Sequence, residues 1–354
     1  MDRQDVEAIV RGEGDLPIIS DLDCSGGDYR EASFGGGTFH KVSFRGANLA
    51  GAFCKEAEFI DCDLREARLD GANLQLASVL ESRISGASLA GARLVHTSVL
   101  KSSLEGAAFA DAVMNHCSFV QCDLSAAHVG PQEGEYVQFI ETTLSRSRFS
   151  GARLYRPNFI QPTVDEIDLG GAALDSPFFM QADFRGFDFT RLQIVMPQFH
   201  QCQLDEAEFR DMDIRQIGLV NTAAKGAHFS RARMDNANLV GADLTGARFD
   251  HAQLAQALLI GTDLRGCDLT GASLVQARLT GANCMQAVFR EADLTYVDFS
   301  HANLVRANLR DTTLYEANLH SIDDTDADWR GSSRHAARET DPERARAEAF
   351  DTEH

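Results

Sequence analysis

From Phe34 to Leu319 apolar residues recur every five positions, and Trp329 falls in the same phase. Residues whose numbers end in 4 or 9 are the centres of this beat. Between Phe34 and Leu319 there are 58 centres, and 45 are Leu or Phe. Residues two places earlier end in 2 or 7, and 31 of them are Ala. Neither set contains Asp, Glu, Lys, Arg or His, although 24% of the chain is charged. Two positions in five therefore face inward and three face water. A helix would need apolar residues every 3.6 positions and a strand every second one. A small and a large inward residue with one outward residue between them fit a short extended segment that ends in a corner. Gly46, Gly71, Gly86, Gly91, Gly106, Gly241, Gly246 and Gly271 lie two places after a centre, where a corner demands positive φ.

A second period of 20 residues organises the large side chains. Of 18 Phe centres, 15 fall in two columns ten residues apart. One column runs through Phe119, Phe139, Phe159, Phe179 and Phe199, the other through Phe189, Phe209, Phe229 and Phe249. Four segments per turn place these columns on opposite walls, so the rings pack across a narrow core.

The runs Ala47-Asn48-Leu49, Ala72-Asn73-Leu74, Ala242-Asp243-Leu244 and Ala307-Asn308-Leu309 resemble the A(N/D)LXX signature of the pentapeptide-repeat family. The resemblance implies an all-β solenoid, a right-handed quadrilateral β-helix. About 15 coils at the ~4.8 Å strand spacing would make a rod roughly 70 Å long. Such a solenoid needs caps. Residues 1–31 are expected to form an N-terminal cap, helical over 2–11 with Val6, Ile9 and Val10 on one face. Residues 32–329 form the β-helix, with Trp329 as a lid, and 330–354 a polar tail. Asp341-Pro342-Glu343 reads as an N-cap and first turn, so 342–350 is either a short helix or frayed. Two stretches break the pattern. The sequence Gly130-Pro131-Gln132-Glu133-Gly134 predicts a loop over 130–136. Over 157–217 the inner flank becomes Pro157, Pro162, Ile167, Pro177, Phe187, Leu192, Pro197, Met212 and Ile217, which predicts irregular, distorted coils.

All eight cysteines fall on inward positions and read as small buried apolar groups. Without a CxxC pair or a disulfide pattern they suit a reducing, cytoplasmic setting. The chain shows no signal-peptide pattern and no apolar run near 18 residues. No catalytic, metal or cofactor constellation emerges. All 11 histidines lie off the inward positions, with no H-x-x-x-H or H-E-x-x-H spacing. Acidic neighbours such as Asp165-Glu166 and Asp205-Glu206 read as solvated turns. A tube filled by its own side chains leaves no internal site, so the expectation is a protein that is not an enzyme and carries no cofactor.

The net charge is −20. The resemblance brings in quinolone-resistance proteins that look like acidic duplex DNA and engage type II topoisomerase. The distribution argues against that role here. Residues 1–31 carry −6 and the tail 322–354 carries −5 with the Asp328–Arg330 pair set aside, which leaves −9 for the repeats. B-DNA carries one charge per ~1.7 Å, or about 40 over 70 Å. Acidity also disfavours direct nucleic-acid binding.

A sharper signal is an apolar stripe. The outward residue after each centre of one wall reads Ile60, Leu80, Leu100, Val120, Ile140, Ile160, Met180, His200, Val220, Val240 and Ile260. The neighbouring wall holds Tyr136, Tyr155, Tyr296 and Tyr315, with Phe53, Val95 and Val195. A continuous apolar surface of this size exceeds what a soluble monomer usually exposes, and Tyr beside it suits an interface. These residues are the candidate partner-binding site. The expected function is a non-catalytic protein-binding rod, acting as scaffold, adaptor or homodimer, with no membrane partner. The alternatives, both carried by the resemblance, are a topoisomerase-protecting DNA mimic and an accessory protein of a bacterial secretion system.

Overall fold

The computed structural model describes Gln4, Val6, Glu7, residues 18–130 and residues 134–351. The chain forms two compact units: Met1–Ala182 with Arg191–Ile194, and Asp183–Thr190 with Val195–His354. Each is a parallel β-solenoid in which residue i pairs with residue i+20. In the first unit one wall pairs Ile19 with Phe39 and Phe39 with Phe59. The next three walls follow at five-residue offsets, as in Ser43↔Asp63, Asn48↔Arg68 and Phe53↔Asn73. The second unit also has four ladders, for example Gly218↔Asn238, Ala223↔Asp243, His228↔Arg248 and Arg233↔Gln253. Four ladders five residues apart are the four expected walls. The first begins at Ile18, within the segment 1–31 expected to be a cap.

The corners follow from a turn with positive φ at its third residue. Ala47 N–H donates to Phe44 O at 2.9 Å, and Gly46 between them has φ 63°. This is the type II pattern. Glycine is not obligatory there: Glu56, His96, Gln216 and Tyr296 adopt φ of 61°, 57°, 61° and 58° at equivalent corners. Each costs some backbone strain, offset by one closing hydrogen bond and by inter-coil bonds on both sides.

Where the closing bond is lost, a wall lengthens into a regular strand. Pro157 and Pro177 occupy the closing position and have no N–H to donate. The preceding residues form the strands Arg153–Tyr155 and Ala173–Asp175, paired in parallel. On the stripe-bearing wall a side chain takes over the closing role. Thr142 Oγ1 donates to Phe119 O at 3.0 Å. Ser82 Oγ accepts the Cys62 N–H at 3.0 Å, and Ser102 Oγ accepts the Ser82 N–H at 3.0 Å. Nine three-residue strands mark this wall in the first unit, from Ile18–Ser20 to Phe178–Met180. The expectation was about 15 coils. The strand-bearing turns are fewer because elsewhere the closed corners leave only isolated bridges.

The interior is as the five-residue phase requires. From Phe34 to Leu319 the described centres and flanks are buried except Phe187 and Met212, which are half-buried, and among the described residues no buried side-chain polar atom lacks a partner. Phe119, Phe139, Phe159 and Phe179 stack at 5.5, 5.0 and 4.9 Å. Phe189, Phe209, Phe229 and Phe249 do so in the second unit at 4.5, 5.0 and 5.0 Å. These spacings match the inter-strand distance, so the ladder itself sets up offset stacking. At Gly134, where a Leu or Phe is usual, a Cβ would meet the end of the Leu154 side chain.

The expected N-terminal helix is helical at Gln4, Val6 and Glu7; the rest of 2–11 lies outside the described residues. Val6 is buried, and Glu7 accepts the Ser33 N–H at 3.0 Å. Within the loop expected over 130–136, residues 131–133 also lie outside the described residues. In the irregular stretch a 3₁₀ turn, Phe189–Arg191, replaces an ordinary corner. At the far end Trp329 is half-buried beneath the Arg334 guanidinium, 4.5 Å from its ring, and donates to Asp324 at 3.1 Å. Beyond it the tail forms the helix Pro342–Asp351.

Candidate functional site

The stripe residues lie on the outer side of their wall but are half-buried rather than fully exposed. Each sits at the end of an extended segment, in register with the same position one coil away. The pairs Ile60↔Leu80, Leu80↔Leu100, Leu100↔Val120, Val120↔Ile140, Ile140↔Ile160 and Ile160↔Met180 are direct Cα partners. Stacked neighbours cover part of each side chain, which explains the partial burial. In the second unit Val220, Val240 and Ile260 hold the equivalent position, again half-buried.

The structure adds a feature the stripe alone does not convey. Six successive strands, Ser78–Leu80, Ser98–Leu100, Ser118–Val120, Gln138–Ile140, Asn158–Ile160 and Phe178–Met180, contain no charged residue. Their outward side chains form one row of aliphatic residues and Met beside a row that runs Ser78, Ser98, Ser118, Gln138, Asn158 and Phe178. The result is a charge-free run of strands, a neutral face roughly 24 Å along the stack.

One border of this face is a column of rings at consecutive corners. His96 and His116 stack at 4.9 Å, and His116 and Tyr136 at 5.2 Å. Arg156 Nη1 donates to Tyr136 Oη at 2.6 Å, and its guanidinium lies 4.9 Å from the Tyr155 ring. Leu76 continues the column and is exposed. Tyr136 and Tyr155 are thus brought together in the first unit. Tyr296 and Tyr315 meet edge-on at 5.6 Å in the second. Phe53 and Val195 are exposed at 44% and 48%. The histidines of the column were not singled out in the sequence, because the signal is a spacing of 20 rather than a helical one.

The remaining surface is charged, and part of that charge is paired locally. Arg65, Arg185, Arg215, Arg265 and Arg330 each reach back to an Asp two residues earlier, with contacts of 2.5, 2.6, 2.8, 2.7 and 2.5 Å. The guanidinium beside each of Asp63, Asp183 and Asp213 holds its carboxyl below the usual range. The cysteines offer no reactive thiol. All eight are buried, and burial pushes Cys62 and Cys122 up to about 11 and Cys54 to about 12.

A family model for pentapeptide repeats matches residues 39–75, 82–125, 219–250, 247–283 and 282–320, just over half of the chain. The chain belongs to the pentapeptide-repeat family. Solved structures are also among the matches. A trypsin-treated variant of QnrB1, a plasmid-mediated fluoroquinolone resistance protein, is 17% identical, with TM-score 0.34, and the match covers 56% of this chain and 89% of that one. HetL, involved in heterocyst differentiation regulation in Nostoc sp. strain PCC 7120, is 20% identical, with TM-score 0.21, over 80% of this chain and 90% of that one. Rfr23 from Cyanothece 51142 is 28% identical, with TM-score 0.16, over 32% and 60%. No curated protein matches the chain. Among the described residues no helix of this pentapeptide-repeat protein is long and apolar enough to cross a membrane.

Proposed function

We propose that this pentapeptide-repeat protein is a non-catalytic scaffold that binds another protein, or a second copy of itself, through the neutral strand face of its first unit. The observation that carries this reading is the run of six charge-free strands in a chain that is 24% charged. Water-facing sheet surfaces ordinarily carry charge that keeps them apart. Here Leu80, Leu100, Val120, Ile140, Ile160 and Met180 present adjoining apolar surface, and a partner would remove it from water at roughly 25 cal/mol per Å². Tyr136, Tyr155 and Arg156 on the border are residue types that anchor interfaces. Ile60 and, in the second unit, Val220, Val240, Ile260, Tyr296 and Tyr315 are assigned the same role.

Topoisomerase protection through DNA mimicry is less well supported. Asp-x-Arg pairs interleave positive charge with the acidic residues, and the net charge of the repeats is small for their number.

The test is Leu100→Glu together with Ile140→Glu. Both side chains are on the outer surface, so circular dichroism should stay unchanged apart from a modest fall in Tm. Light scattering should show any dimer of the parent chain reduced to monomer, and immobilised variant should lose the proteins captured by the parent. A parent chain that is monomeric and captures the same proteins as the variant would refute the reading. A supercoiling assay with gyrase separates the alternative.

A further inference from the structure

His320 is 2% exposed and lies at a corner of the second unit, against the terminal helix. Its Nε2 is 2.9 Å from Glu348 Oε2, and the same oxygen lies 3.3 Å from His301 Nε2 on the preceding coil. The three ligand atoms all fall within 4.8 Å of one another. The two imidazoles stand edge to face, 5.4 Å apart, so both aim a nitrogen at one point.

We propose that His301, His320 and Glu348 form a binding site for one divalent transition-metal ion of the Zn²⁺ class, which pins the terminal helix to the last coils. Two imidazoles and one carboxylate are a donor set suited to Zn²⁺, with a position left for water. The first two ligands are fixed by the solenoid ladder, where His301 N–H donates to His320 O at 2.9 Å. The third comes from a helix whose own N-cap is complete: Asp341 Oδ1 accepts the Glu343 N–H at 2.9 Å. Arg344 donates to Glu348 Oε1 at 2.7 Å, so the carboxylate is held from behind while Oε2 stays on the histidine side. Outer partners of this kind orient a ligating carboxylate.

The site has one specific cost. His320 Nδ1 accepts the Asp341 N–H at 3.2 Å, which puts the ring proton on Nε2, facing Glu348. A metal takes the place of that proton, and the bound ring then carries its hydrogen on Nδ1. Asp341 N–H must turn away. Metal binding therefore opens the amide at the start of the helix while closing its far end.

The test uses the untagged full chain and ZnCl₂ in titration calorimetry, with Co²⁺ absorption as a second probe. The expected result is one ion per chain with Kd below about 10 µM. His301→Ala and Glu348→Gln should each weaken it by about tenfold or more, while the double variant His96→Ala, His116→Ala leaves it unchanged. Neither His301 nor Glu348 is core, so both variants should fold, which circular dichroism checks. Absence of saturable Zn²⁺ binding, or binding unaltered in both single variants, would overturn the proposal.

Discussion

Two stretches of the first unit share one backbone plan and are filled differently. From Phe119 to Phe179 the stripe-bearing wall sends stacked rings inward, with Phe149 packed edge-on against Phe139 and Phe159 at 5.8 and 6.1 Å. From Leu64 to Leu104 the same wall supplies only Val79 and Val99, opposite Leu69 and Leu89. A cavity of about 20 Å³ remains there, lined in part by Leu74, Val79, Leu89 and Val99. The walls do not move in to close it, because each wall spans five residues between corners closed by hydrogen bonds, and that covalent length sets the tube's width. In a solenoid the backbone sets the bore and the side chains must meet it, the reverse of a globular core that relaxes around its contents.

The largest effect should come from breaking the ring stack. Phe139→Ala removes a fully buried ring with neighbours on both sides and should cost about 3–5 kcal/mol in denaturant titration. Enlarging the filled stretch should also destabilise: Leu144→Phe has no space to enter and should cost about 1–3 kcal/mol. Thr142→Val keeps the shape but removes the hydroxyl that replaces the turn's closing bond, at about 1 kcal/mol. The contrasting change is Val99→Ile, which adds one methylene beside the cavity. It should stabilise by roughly 0.5–1 kcal/mol, opposite in sign to Leu144→Phe, and calorimetry can read both.

A smaller effect concerns pH. Asp63 is nearly buried, and its carboxyl is held below its ordinary 3.8, first by the hydrogen bond from Arg65 and also by the Arg83 charge. A depressed carboxyl adds stability that is complete above 3.8 and disappears as pH falls through the lowered value. Acid unfolding followed below pH 4 should therefore begin earlier in the parent than the rings alone would suggest. Asp63→Asn should flatten that dependence and cost no more than about 1 kcal/mol at neutral pH.

Most of this architecture was legible in the residues. The digits that mark Leu244 as core and Leu100 as surface follow from the five-residue phase. The corner role of Gly46 follows from its place two after Phe44. What escaped were features set by neighbours 20 residues away. Nothing adjacent to Ser82 or Thr142 shows that its hydroxyl completes a corner, and nothing beside His116 shows that it stacks between His96 and Tyr136. The approach of His301, His320 and Glu348 was missed because metal spacings were sought along helices, where ligands lie three or four residues apart. Partial burial of Ile60 and Ile140 was missed for a related reason: alternation predicts which side of the wall a side chain takes, but its exposure depends on the width of its stacked neighbours. Pro157 and Pro177 mark the irregular stretch in the sequence, but that they lengthen a wall into paired strands by withholding one N–H is visible only in the structure.

The most direct test of the docking face is radical labelling of side chains read by mass spectrometry, on the free chain and on the chain with its captured partner or in its self-associated form. Leu100, Ile140 and Met180 should label in the free chain and become protected in the complex, while Phe139 and Leu244 stay unlabelled throughout. Strip residues as silent as Phe139 in the free chain, or labelled equally with and without the partner, would contradict the account.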